Sequence, residues 1–229
     1  MTDTAAPQND LIEIAVILDR SGSMQSIKDD MEGGLWTLVA EQHGQPGRCR
    51  VSLYQFDDIW EPTFEGKPSG DITAENCRLV PRGSTALNDA VVKSLAALEA
   101  RILAEPEMDR PSRVAVIVIT DGQENASKEN KRKDAHEAIG RATDKFGWRF
   151  VFLAANPEGF AEGEEMMRGH AGTAAATYDA ADVRGMHQRT SRAISNYRSG
   201  NSDFVDVQNN LPTPDSDDSD DSSGGPKVH

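Results

Sequence analysis

Cysteine, basic stripes and long apolar runs are all scarce in this sequence. Among 229 residues there are two cysteines, Cys49 and Cys77. Two thiols make no disulfide framework, and no CxxC spacing offers a zinc or redox motif. They read as reduced cysteines in a reducing compartment. The longest apolar runs, near Ile14–Leu18 and Val114–Ile119, are far too short to span a bilayer. The opening MTDTAAPQND lacks a basic segment followed by an apolar one, so no signal peptide is visible. A cytoplasmic protein is expected. Lys and Arg number 24 against 38 Asp and Glu, for a net charge of −14. The stretch from Gly200 holds seven Asp and one Lys, which leaves −8 on the rest. A net-negative body without a basic stripe argues against nucleic acid or an anionic membrane as partner. It is compatible with binding a divalent cation.

What is present suits one α/β domain. Hydrophobic residues make up 37% of the chain, enough to fill a core. Ile12–Leu18 reads as a buried strand, and Ile27, Met31, Leu35 and Leu38 then share a helical face. Arg50–Phe56 reads as a strand and Trp60–Phe64 follows so closely that a hairpin, hence an antiparallel edge strand, is expected. Leu87, Val91, Leu95, Leu98 and Ile102 mark a strong helix ending by Pro106. Val114–Thr120 is nearly all β-branched, as a parallel strand covered on both faces should be. A charged helix is expected from about Lys128 to Lys145, ended by Gly147. Then come a strand at Arg149–Leu153, a short helix at Gly159–Arg168, a strand at Ala174–Tyr178, and a helix capped by Asp179 that runs to about Tyr197. Most connections between strands pass through helices. That predicts a doubly wound, Rossmann-like six-stranded sheet, mostly parallel, with helices on both faces. The domain is read as 11–199, after a flexible 1–10. From 200 to 229 the composition turns to Asn, Asp, Ser, Pro and Gly, and a disordered acidic tail is expected.

In open α/β sheets, ligands bind beyond the carboxyl ends of the strands. The first strand runs into Asp19-Arg20-Ser21-Gly22-Ser23-Met24. The loop before the long helix reads Gly83-Ser84-Thr85-Ala86-Leu87, and Val114–Thr120 runs into Asp121-Gly122-Gln123-Glu124-Asn125. All three should meet on one edge, bringing two carboxylates and three hydroxyls together. Such a set suits a hard cation such as magnesium, with Ser21, Ser23 and Thr85 as neutral ligands and Asp19 and Asp121 binding directly or through water. Manganese and calcium are the alternatives. Few direct carboxylates leave the ion electron-poor and ready for an outside carboxylate. Gly22 would let the backbone turn sharply between the serines.

Asp19-x-Ser21-x-Ser23, Thr85 in GSTAL and Asp121 in TDG resemble the metal-ion-dependent adhesion site (MIDAS) of von Willebrand factor type A (vWA) domains. The resemblance covers about Leu11 to Tyr197, and all five positions carry the expected residue type. It implies a magnesium-type ion that bridges the domain to a Glu or Asp of a protein partner, and no catalysis. The chain looks closer to bacterial or phage stand-alone members. Some of those sit beside a separately encoded ATPase or in stress-response systems, so the resemblance does not choose the partner.

Blander readings stand beside this one. Ser and Asp at strand-to-helix turns are common helix caps. Asn88, Asp89, Glu124 and Asn125 are either supports of the site or ordinary loop and first-turn residues. His43, His136, His170, His187 and His229 share no spacing and read as surface or core. Lys128–Lys133 reads as a solvated helix face. The acidic tail either stays in solvent or offers carboxylates to the metal site. A magnesium-dependent, phosphatase-like hydrolase is the competing function. It usually needs a second Asp two positions after the first, where this chain has Ser21. The first loop is neither a GxGxxG nor a phosphate loop, and no GxSxG elbow is present.

Overall fold

The computed structural model describes residues 10–200. Apart from Asp10 and Gly200, the expected flexible stretch 1–10 and acidic tail 200–229 lie outside the described residues. Strand β1 (Ile12–Asp19) passes through a 3-10 turn (Gly22–Ile27) into α1 (Lys28–His43). The chain continues through β2 (Cys49–Phe56), β3 (Trp60–Pro68), α2 (Leu87–Ala104), β4 (Arg113–Thr120), α3 (Arg132–Phe146), β5 (Arg149–Ala154), α4 (Pro157–Met167), β6 (Thr173–Thr177) and α5 (Val183–Ser199). The six-stranded sheet has the order β3-β2-β1-β4-β5-β6. Only β3 runs antiparallel, at the edge, as the short Phe56-to-Trp60 connection requires.

Central β1 is buried at all eight positions because helices cover both faces. Ile12, Ile14, Val16 and Leu18 face α1 and α5, while Ala15 and Ile17 face α2 and α3. The period-2 alternation of a strand therefore feeds two cores rather than one core and solvent. The predicted stripe of α2 is buried at every position from Leu87 to Ile102. Each such aliphatic side chain contributes about 1.5–3 kcal/mol on leaving water.

Several expected boundaries move, each for a local reason. The charged helix begins at Arg132, not near Lys128, because the Asp89 carboxylate accepts the N–H groups of Lys128 (2.9 Å) and Asn130 (2.7 Å). Residues 128–131 are thus a loop rather than a solvated helix face. Gly147 does end α3, in the left-handed region at φ 67°. Asp179 caps a 3-10 turn (Ala180–Asp182) through the Ala181 N–H, and Asp182 caps α5 through the Gly185 N–H. Tyr178 falls beyond the end of β6.

A buried imidazole sits in the α1–α5 seam. His187 is 2% exposed, and its ring lies where a Cβ on Gly34 of α1 would stand. Its Nε2 is 3.2 Å from the Met31 sulfur, and Nδ1 has no partner among the described residues. Burial pushes the imidazole down from 6.5 to about 3. The folded state thus refuses a proton that the unfolded state accepts below about pH 6.5. Stability should fall as pH drops through that value, with this group adding a slope of up to about 1.4 kcal/mol per pH unit. Urea titrations near neutral pH and near pH 5 should show a smaller acid loss for His187→Leu. Equal losses in both proteins would mean that protons reach the ring in the folded state.

Candidate metal centre

The chain leaves β1 toward β2 on one side and leaves β4 toward β5 on the other. The connections diverge between these two neighbours, which opens a crevice at their carboxyl ends. Register pairs Leu18 with Ile119, so Asp19 ends β1 beside Thr120, and Asp121 follows. Asp19 Oδ1 accepts the Ser21 N–H at 2.7 Å, and Oδ2 accepts the Thr120 hydroxyl at 2.6 Å. Ser21 Oγ is 3.1 Å from Ser23 Oγ, which donates to Asp121 Oδ1 at 2.7 Å. A Cβ placed on Gly122 would stand 3.0 Å from Thr85 Oγ1, 3.7 Å from Asp19 Oδ2 and 3.9 Å from Ser21 Oγ. Thr85, Asp19 and Ser21 therefore surround the space that the missing Cβ leaves open, and Ser23 and Asp121 join them through the Ser21–Ser23–Asp121 contacts.

The hydroxyls are not helix caps. Ser21 precedes the 3-10 turn without a side-chain capping bond, and the residues capping α1 and α2 are Ile27 and Ala86. Gly22 differs from expectation. It opens the 3-10 turn with ordinary negative φ, and its N–H reaches the Gly83 carbonyl at 3.3 Å. The sharp turn belongs to Gly83, at φ 66°, where a Cβ would also collide with Asp58.

Burial pushes Asp19 up to about 6, against hydrogen bonds from Thr120 and Ser21, and the Asp121 charge adds to the rise. Burial also raises Asp121, against the bond from Ser23. Two carboxylates in want of positive charge, joined by three hydroxyls, form a hard-oxygen donor set that fits a divalent cation. Among the described residues no cluster of three or more His, Cys, Asp or Glu could hold a metal, so no thiolate or imidazole site competes with it.

No protein-family model matches the sequence, and no curated protein does. Solved structures do match. A variant of the PilB minor pilin from Streptococcus sanguinis aligns with TM-score 0.62 at 12% identity, over 85% of this chain and 63% of that one. Proximal thread matrix protein 1 from the mussel byssus, with a zinc-occupied MIDAS motif, gives 0.58 at 17% identity, over 80% and 46%. A von Willebrand factor type A structure from Catenulispora acidiphila gives 0.56 at 15% identity, over 79% and 41%. This chain has the vWA fold. It spans less than two-thirds of each of these three proteins.

The vWA scaffold here is braced by residues of two kinds. The first were visible in the sequence as alternatives, and the structure makes them supports. Asn125 Oδ1 accepts the Thr85 N–H at 2.9 Å, and the Thr85 carbonyl accepts the N–H groups of Asn125 and Ala126. Glu124 accepts from Asn88 N–H (2.8 Å), Ser127 N–H (2.8 Å) and the Ser127 hydroxyl (2.7 Å). Burial opposes charge on Asp89, but the bonds from Lys128 and Asn130 outweigh it and hold that carboxyl below its ordinary value.

The second kind escaped the sequence reading. Asn156, the cap of α4, donates to the Asp121 carbonyl. Thr120 holds Asp19. Asp57, fully buried at the end of β2, accepts Arg20 Nε at 2.9 Å and Arg82 Nε at 2.7 Å on one oxygen and the Ile59 N–H on the other. Burial works against the Asp57 charge, and the two arginines with Ile59 hold its carboxyl low. Arg20 lies inside the Asp19–Ser23 loop and Arg82 leads toward Thr85, so Asp57 ties the two loops together. The available signal was an acidic pair, Asp57-Asp58, at the end of a strand on the same edge.

Asp57→Ala would leave the buried Arg20 guanidinium without its main partner. A loss of about 3 kcal/mol or more is expected, read as a lower urea midpoint. A change under about 0.5 kcal/mol would mean that Glu61, which also meets both arginines, is sufficient alone.

Proposed function

We propose that this chain is a non-catalytic, metal-dependent protein-interaction module. A magnesium-type ion would be held by Asp19, Ser21, Ser23, Thr85 and Asp121 and would take a Glu or Asp side chain from a protein partner. The observation that carries this reading is that Thr85, Asp19 and Ser21 surround the space beside Gly122 while Ser23 and Asp121 are hydrogen-bonded onto that group. The zinc-occupied MIDAS of the mussel protein, which shares the fold, supports a divalent ion as the ligand. Magnesium is preferred over zinc here because the donors are hydroxyl and carboxylate oxygens. Manganese and calcium fit the same donors less selectively.

When bound, the ion supplies a Lewis-acidic centre for an incoming carboxylate. The protein's own residues do the rest. Asn125 fixes Thr85, Thr120 orients Asp19, and Ser23 orients Asp121. The hydrolase reading gains nothing from the geometry, since Ser21 stands at the acid position and is engaged with Ser23. A cytoplasmic location accords with the two buried, unpaired cysteines. No helix among the described residues is long and apolar enough to cross a membrane.

Magnesium or manganese at about 100 times its dissociation constant should stabilise the protein by about 2.7 kcal/mol. Asp19→Ala and Gly122→Ala should remain folded and lose that gain in thermal melts. In affinity capture, a partner should be retained by the wild type in magnesium, and lost in EDTA or with Asp19→Ala. An equal cation shift in wild type and Asp19→Ala would refute the site.

A further inference from the structure

We propose that the exposed face of α1 around Gly33 and Trp36 is a second docking surface, which receives an arginine side chain of a protein partner. The proposal does not depend on the cation reading above. Gly33 stands in the interior of α1 and is exposed. Glycine weakens a helix interior relative to alanine, and a positive φ or a close neighbour is what ordinarily requires it. Gly33 has neither: its φ is not positive, and a Cβ built on it would meet nothing within 4 Å. Gly34, by contrast, makes room for His187. The space kept open at Gly33 serves no contact among the described residues.

Trp36 lies one helical turn on, on the same face. It is half-buried and packs against the core. Gly33 and Trp36 are shared by two hollows. One, of about 440 Å³, opens between α1 and α5 and includes Glu41 and Arg184. The other, of about 360 Å³, opens between α1 and a 3-10 turn (Ala74–Cys77) and includes Asp29, Glu32, Glu75 and Arg78. The charges here choose the occupant. Arg78 is engaged by Glu75 and Arg184 by Asp30, both at 2.9 Å, and Lys28 by Glu32. Asp29 has only a share of Lys28, at 3.6 Å, and Glu41 meets no cation among the described residues. A second copy of this acidic chain would bring like charges together here, and an apolar segment would strip water from the carboxylates without replacing it. A cation suits both hollows. Arginine fits best, because its planar guanidinium stacks on an indole, offers donors to carboxylates, and can lie flat where no Cβ intervenes.

The indole N–H resonances of the three tryptophans report the test in the full chain, with Trp36 assigned through Trp36→Phe. The probe is the peptide acetyl-Gly-Gly-Arg-Gly-Gly-amide, titrated in EDTA so that the cation site takes no part. A saturable shift of the Trp36 signal is expected, while the Trp60 signal, whose N–H is held by Ser94, stays in place. The same peptide with citrulline, the neutral analogue of arginine, should leave Trp36 unmoved. Gly33→Leu fills the open space with a better helix former, so it should abolish the shift without lowering the urea midpoint. Asp29→Asn combined with Glu41→Gln should weaken binding about two- to fivefold. A Trp36 signal indifferent to the arginine peptide, or moved equally by citrulline, would overturn the proposal. So would undiminished binding by Gly33→Leu. A Trp36 signal that moved with protein concentration alone would overturn it as well, by making a second copy the occupant.

Discussion

The burial of a carboxylate, Asp19, at the end of the central strand is the constraint around which the rest of this molecule is arranged. The parallel pairing that sets Leu18 beside Ile119 delivers Asp19 and Asp121 to the same end of adjacent strands. Water is excluded from Asp19, Asp121 beside it is half-buried, and no ion pair among the described residues neutralises Asp19. The protein meets this with neutral donors: the Ser21 N–H and the Thr120 and Ser23 hydroxyls. These offset the cost of burying the charges without cancelling it. A fold that wanted only stability would have placed a lysine here.

Rigidity of the site comes from carboxylates and amides that bind backbone rather than ligand. Asp89, Glu124 and Asn125 turn residues 124–130 into a fixed loop against the start of α2, and so hold Thr85 in place. Asp57 does the corresponding task on the other flank by gathering Arg20 and Arg82. Most of these acids sit within one edge of an acidic protein. Their charges are quenched by N–H groups and guanidinium groups, which leaves Asp19 and Asp121 as the exception.

The sheet was largely legible in the sequence because its strands are short runs of β-branched residues with helices between them. The five candidate ligands were legible because each lies just beyond a strand or before a helix, where local pattern suffices. The start of α3 was not, because Lys128–Lys131 has helical composition and is diverted by Asp89, about forty residues earlier. Asp57 was not, because its meaning depends on two arginines from separate loops. Tyr178 looked like the last residue of a strand. The strand ends at Thr177, and the Tyr178 hydroxyl meets the Thr120 carbonyl of β4, a contact no local period encodes.

The contact between Gly34 and His187 bears on how this sequence can drift. A side chain at 34 meets the imidazole at once, whereas a smaller residue at 187 would open room for one. The two positions, far apart in the chain, are therefore coupled. Alanine at 34 requires the imidazole at 187 to shift or to be replaced, so a smaller residue at 187 is the change that opens room for it.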